Sequence, residues 1–212
     1  GKLNKSKKVQ VNNTLKILTD ASKDVRKISS AKFISITGSS GKTSLKDLLS
    51  FSLNKLAPTT KSTQSFNNKF GVPLSLFNVK KNDKFAVLEV GMDKAGEINN
   101  LTQIIKPNLG VITNISYAHI KNFKSLDGIA RAKSEIINNI VEGGKIILNQ
   151  DDEYFNFLKK IALKKNIHVT SFSKKNSLSD IFIKKIITTK TNCKIFINIK
   201  NLTKTFLIKR SN

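Results

Sequence analysis

Three stretches of this chain carry residues whose types and spacing could do chemistry. The first is Gly38-Ser39-Ser40-Gly41-Lys42-Thr43-Ser44, inside "ISITGSSGKTSLKD". The common phosphate-binding loop reads G-x-x-x-x-G-K-[ST]. Here only two residues separate the glycines, and Ile36 stands where the earlier glycine would fall. Glycines allow a tight backbone path, Lys42 can reach outer phosphates, and the Thr43 hydroxyl can bind Mg2+. That chemistry needs the loop to join a strand to a helix, where N–H groups and the positive end of a helix dipole face an anion. The bland alternative is a glycine turn followed by a surface lysine. Position between an apolar strand and an amphipathic helix favours phosphate.

The second stretch is "FAVLEVG", in which Glu89 closes an apolar run. A carboxylate buried there is costly without a partner, and a metal ion would supply one. Taken alone, an exposed strand-end glutamate is the favoured reading. The third is "GVITNI", ending near Asn114 with His119 five residues on, followed by Lys133 in "GIARAKSEI". His119 repeats the strand-end placement, whereas His168 reads as structural. Nothing in the composition singles out Lys133 from a solvated helix lysine.

These residues need elements to position them. "NNTLKILTDASKDVRKI" places Leu15, Leu18, Ala21 and Val25 at helical spacing. "KFISIT", "KFAVLEVG", "NLGVITNI", "GKIILN" and "IHVTSF" read as apolar strands. Between them "KTSLKDLLSFSLNKL" (Leu45, Leu48, Leu49 and Leu53 on one face), "VPLSLFNV", "GEINNLTQII", "SLDGIARAKSEIINNI" and "DDEYFNFLKKIALKK" read as helices. Ser125 is a cap for the fourth of these, with Asp127 in its first turn. Continuous apolar strands alternating with helices predict a mostly parallel sheet covered on both faces, an α/β fold. In such sheets ligands sit beyond the carboxyl ends of the strands, and all three stretches fall there. From Ser179 on, "DIFIKKIITT", "CKIFINIK" and "TKTFLIKR" predict a small antiparallel meander. The division expected is residues 1–30 as a linker and leading helix, 31–178 as the α/β core and 179–212 as a small β subdomain.

Composition bounds the partners. The net charge is +24, but only Arg26, Arg131 and Arg210 among the 38 basic residues are arginine. Interfaces that read phosphates or base edges favour the planar fork of arginine. Lysines spread along a chain rich in Asn and Ile read as compositional drift, with no specific nucleic acid partner. Non-specific polyanion binding at low salt remains expected, because counterion release requires no designed surface. Cys193 is alone, which excludes a disulfide framework and a thiolate metal site. No apolar run reaches the ~20 residues of a membrane span. A soluble, cytoplasmic, monomeric protein is the expectation.

Taken in order, "TGSSGKTSLKD", "SFNNKFGVPLSL", "VLEVGMDKAGEI", "VITNISYAHIKNFKSLDGIARAKSEI" and "IILNQDD" resemble the ATP-binding central domain of the Mur ligases, from about Phe33 to Asp152. Within that family the branch adding D-alanyl-D-alanine is the most similar. The resemblance implies a P-loop NTPase-like fold and ATP and Mg2+ as cofactors, with residues Gly38 to Ser44 on the phosphates and Lys42 on the β- and γ-phosphates. It implies Thr43 and Glu89 as metal ligands, His119 and Lys133 at a second metal, and Lys133 carbamylated by CO2. Asn67 and Asn68 would lie near the phosphates and Asn149 near the nucleoside. The implied substrates are UDP-N-acetylmuramoyl tripeptide and D-alanyl-D-alanine, joined through an acyl phosphate for cell-wall precursor synthesis. Other Mur-type or polyglutamate-type amide ligases are the nearest alternative, and a basic nucleic-acid module on a ligase-like core a more distant one. Ser65, Lys121 and Asn122 depart from the family pattern and would touch substrate contacts rather than the phosphate set. The UDP-sugar domain and the amine-binding domain of the family are absent from these residues, so the fragment alone is expected not to ligate.

Overall fold

The computed structural model describes residues 10–117, 122–123, 125–199 and 202–209. Helix α1 (Thr14–Ile28) leads into β1 (Lys32–Thr37), α2 (Lys42–Asn54), β2 (Thr59–Lys61), α3 (Gly71–Phe77) and β3 (Phe85–Glu89). There follow α4 (Glu97–Ile105), β4 (Leu109–Ile112), α5 (Leu126–Ser134), a 3-10 turn (Glu135–Asn139), β5 (Lys145–Asn149), α6 (Phe155–Lys164) and β6 (His168–Ser173). Strands β7 (Ile181–Thr188), β8 (Asn192–Ile199) and β9 (Leu202–Lys209) close the series.

All nine strands form one sheet in the order β2-β3-β1-β4-β5-β6-β7-β8-β9. Every neighbour pair from β2 to β7 is parallel, and β7-β8-β9 are antiparallel. The mostly parallel α/β sheet with an antiparallel end thus follows the strand–helix alternation. The meander continues the main sheet, because Phe172 and Ser173 of β6 pair with Ile181 and Phe182 of β7. The chain winds outward from β1 to β2 and β3, then returns to place β4 on the other side of β1. That reversal opens a crevice at the carboxyl ends of β1 and β4, where open α/β sheets bind ligands.

Alternation along β1 sorts its side chains into two layers. Phe33 joins the large core shared with Leu88, Ile98, Leu101, Ile129, Ile136 and Leu158, under the other helices. Ile34 and Ile36 join the small core with Val87 and Val111, under α2 alone. Leu45, Leu49 and Leu53 pack on that core, but Leu48 is 65% exposed, which corrects the expectation of a four-leucine face. A lone helix on its layer buries a narrow stripe at i, i+4 and i+8, and Leu48 lies to one side of it. Arg26 of α1 stacks over Phe33 and donates to the carbonyls of Ile105 (2.5 Å) and Lys106 (2.9 Å), tying α1 to the end of α4.

Two boundaries differ from the sequence reading. The helix capped by Ser125, whose side chain accepts from the Gly128 N–H, tightens into the 3-10 turn at Glu135. There the Glu135 carboxylate accepts from the N–H groups of Gly96 (2.6 Å) and Asn99 (3.0 Å) and caps α4. Strand β2 was not expected at all. Three residues are too few for a period to show.

Candidate functional site

The site is built at the β1–α2 junction. Gly41, at φ 78°, is the N-cap of α2, and no side chain caps the first turn. Its N–H groups therefore point outward without a side-chain acceptor, as an anion site requires. Gly38 is required by close approach, since a Cβ there would sit 1.8 Å from Thr113 Oγ1. The loop is braced from β4. Asn114 Oδ1 accepts from Ser40 N–H (3.1 Å) while its Nδ2 donates to Ser40 Oγ (2.9 Å). Thr113 Oγ1 donates to the Ser40 carbonyl at 2.7 Å, and Ser39 Oγ donates to the Ser116 carbonyl at 2.8 Å. Lys42 Nζ donates back to the Gly38 carbonyl at 2.9 Å, which leaves two of its three N–H groups for other acceptors.

Glu89 at the end of β3 is 1% exposed. Its Oε2 accepts from Thr43 Oγ1 at 2.8 Å and its Oε1 from Asn67 Nδ2 at 2.9 Å. The exposed strand-end reading of Glu89 is thereby excluded. Thr43 and Glu89 place a hydroxyl and a carboxylate together at the lip of the phosphate loop. That oxygen pair fits Mg2+, which takes one or two carboxylates and completes its shell with phosphate oxygens and water. Among the described residues no group of three or more His, Cys, Asp or Glu side chains forms a protein-only cage.

Lys133 lies in the last turn of α5 and is 2% exposed. Its Nζ has no hydrogen-bond or ion-pair partner among the described residues. Burial, and secondarily the charge of Lys42, push its pKa down to about 7. Lys133 is thus no solvated helix lysine, and its electrostatic coupling to Lys42 places it at the same edge.

The remaining expected residues divide. Asn67 reaches Glu89, as above. Asn68 lends its Oδ1 to the N–H groups of Phe70 and Gly71 at the start of α3. Both line a cleft of about 510 Å3 beside Lys42, with Lys69, Phe70 and Asp93. Asn149 ends β5 at the same edge, its Oδ1 accepting from Asp151 N–H at 3.0 Å. Ser44 is exposed in the first turn of α2. His119 and Lys121 lie outside the described residues. Sequence reasoning missed the double brace from Asn114, although its place just past a strand adjoining β1 was a usable signal. It also missed Lys46, for which no local signal exists.

Loop, helix N-terminus and paired oxygens on a switched parallel sheet mark an α/β domain with a candidate phosphate site. Residues 36–209 match the Mur ligase middle domain, and the chain belongs to that family. It is 40% identical over 192 residues to the UDP-N-acetylmuramoyl-tripeptide–D-alanyl-D-alanine ligase of Buchnera aphidicola subsp. Baizongia pistaciae, covering 90% of this chain and 41% of that protein. It is 39% identical over 167 residues to the ligase of the same name from Rickettsia prowazekii, covering 79% of this chain and 37% of that one. Crystal structure I of MurF from Acinetobacter baumannii superposes with a TM-score of 0.85 at 31% identity, over 95% of this chain and 43% of that one. MurF ligase from Thermotoga maritima in complex with ADP shares the fold (TM-score 0.82, 23% identity, 99% of this chain and 47% of that one). The chain therefore spans about two fifths of the length of these relatives.

Proposed function

We propose that this chain is the ATP-binding middle domain of a ligase that adds D-alanyl-D-alanine to UDP-N-acetylmuramoyl tripeptide. The observation that carries the reading is the Thr43–Glu89 pair at the mouth of the Gly38–Ser44 cradle. The N–H groups that open α2, together with Lys42, would hold the ATP phosphates, and Thr43 and Glu89 one Mg2+. Bound Mg2+ supplies charge neutralisation, so that the γ-phosphate and a substrate carboxylate can approach each other. The residues contribute positioning and preset electrostatics rather than covalent chemistry. Lys42 has two N–H groups left for the phosphate. Glu89 keeps its orientation through Asn67, and Asn114 fixes the path of the loop by holding Ser40.

Lys133 is assigned as the carbamylated lysine. An amine whose pKa lies near 7 is substantially neutral at physiological pH, and the neutral form is the one that reacts with CO2. The carbamate is an anion at a place where the unmodified lysine is an unpartnered cation, and it would orient a second Mg2+ together with His119. Asn149 is assigned to the nucleoside. Among the described residues no helix is long and apolar enough to cross a membrane, and we assign the reaction to the cytoplasm.

The test is direct. ATP with Mg2+ should bind this chain saturably, and Lys42→Ala should weaken binding about tenfold or more, the value of a charge-assisted contact. Binding to a polyanion should be salt-sensitive and indifferent to that change. Unchanged ATP affinity in Lys42→Ala would remove the loop assignment. Candidate amines offered to the whole enzyme with the muramoyl peptide decide the substrate, while the 212-residue chain alone should form no amide.

A further inference from the structure

Lys46 stands one turn beyond Thr43 on α2 and is 1% exposed, whereas every other described lysine except Lys133 is at least partly in water. A buried ammonium is costly unless bonded. Its Nζ donates to the backbone carbonyl of Gln64 and lies 3.7 Å from Asp47 Oδ1, which itself pairs with Lys61 at 2.8 Å. Gln64 has a left-handed backbone, φ 45°, uncommon for a residue with a side chain. It belongs to the segment 62–70 that joins β2 to α3. The segment touches the site repeatedly: Ser62 Oγ accepts from Glu89 N–H (3.2 Å), the Asn67 carbonyl accepts from Gly91 N–H (2.8 Å), and Asn67 Nδ2 donates to Glu89 Oε1.

The contacts close a circuit. Thr43 of α2 bonds one oxygen of Glu89, Asn67 of the segment bonds the other, and Lys46 ties the segment back to α2. We propose that Lys46 is a positioning residue for the metal-binding carboxylate, fixing segment 62–70 so that Asn67 holds Glu89 at the angle Thr43 shares. A backbone carbonyl is the right target for such a pin, since it sets the path of the segment whatever side chains it carries. A packing role alone would be met by Leu or Met without burying a charge. The metal-binding part of this proposal rests on the function proposed above; the pin itself does not.

The experiment compares Lys46→Met, Asn67→Ala and the double variant with the unaltered chain. It follows amide hydrogen exchange in the nucleotide-free protein and ATP affinity with Mg2+ or with EDTA. Lys46→Met should speed exchange across 62–70 while β1 and β4 stay protected. It should lower the Mg2+-dependent gain in ATP affinity about tenfold, the cost typical of losing a partner that orients a metal ligand, and leave the EDTA value unchanged. Asn67→Ala should lose the same gain, and the double variant should be no worse than Asn67→Ala, because both act through one contact. Additive losses, equal losses with and without Mg2+, or unchanged exchange in 62–70 would each overturn the proposal. If Lys46→Met gives no cooperative melt, Lys46→Gln keeps a shorter donor and should show the same pattern at lower amplitude. If the unaltered chain gains no ATP affinity from Mg2+, the proposed function fails and the metal role of Lys46 with it, while hydrogen exchange still decides the pin.

Discussion

Lys46 and Lys133 are buried to the same degree on opposite helical layers of the sheet, and the molecule treats them in opposite ways. Around Lys46, in the thin layer under α2, a carbonyl and a carboxylate stand within reach of the ammonium. Around Lys133, in the thick layer, the charge that acts on the amine is another cation, Lys42, and no partner is present among the described residues. A bonded cation is an anchor. An unpartnered one is a destabilised ammonium and a ready amine, which is what a lysine that reacts with CO2 requires. Burial alone does not separate structural from reactive lysines; the partner does.

The difference should be largest in stability. Lys46→Met removes the ammonium donor that ties the Gln64 carbonyl to α2 and should cost about 2 kcal/mol, within the range for a hydrogen bond made by a charged group. Lys133→Met removes a buried amine that gives up no bond, and at pH 6 its midpoint in urea should equal or exceed that of the unaltered chain. Equal losses in both variants would erase the distinction.

Dependence on pH should separate the two next. The Lys133 pKa is held down from the usual 10.5 to about 7. Below pH 7 the ammonium is present in both folded and unfolded chains, so its burial cost is borne in full by the folded state. Between pH 7 and 10.5 the unfolded chain holds a proton that the folded one has released, and stability rises with pH, by at most about 1.4 kcal/mol per unit for one group. Chemical denaturation across that window should show the rise in the unaltered chain and lose it in Lys133→Met. Lys42→Ala offers a finer cut, since the Lys42 charge is the second cause of the depression. The Lys133 pKa, read by side-chain NMR, should move upward in that variant. No movement would place the two lysines too far apart to share one anion.

Neither behaviour was legible in the sequence, and the reason is physical. Strand–helix alternation reports which faces are apolar, so the parallel sheet, the glycine loop and Glu89 at a strand end could be read locally. Lys46 bonds a carbonyl eighteen residues away, and a backbone carbonyl leaves no mark in a sequence. Lys133 looked like any of the surrounding lysines until the family resemblance singled it out; its burial depends on α5 packing against the sheet. Leu48 misled for the same reason, because helical spacing gives a stripe but not its width. Asn114 was visible as a strand end, while its two bonds to Ser40 depend on β4 adjoining β1.

The smallest effect belongs to a lysine with neither burial nor a task, and it sets the baseline for the other two. Lys204 lies on β9, the edge strand, all of whose described residues are exposed. An ammonium in water keeps its hydration in the folded chain, so nothing is lost or relieved when it is removed. Lys204→Met should change stability by no more than about 0.5 kcal/mol, with no slope between pH 7 and 9 that differs from the unaltered chain. Urea midpoints at both pH values measure it. A larger loss would mean that the edge strand is covered by something beyond the described residues, and that charge on this strand is part of a contact rather than a solvated surface.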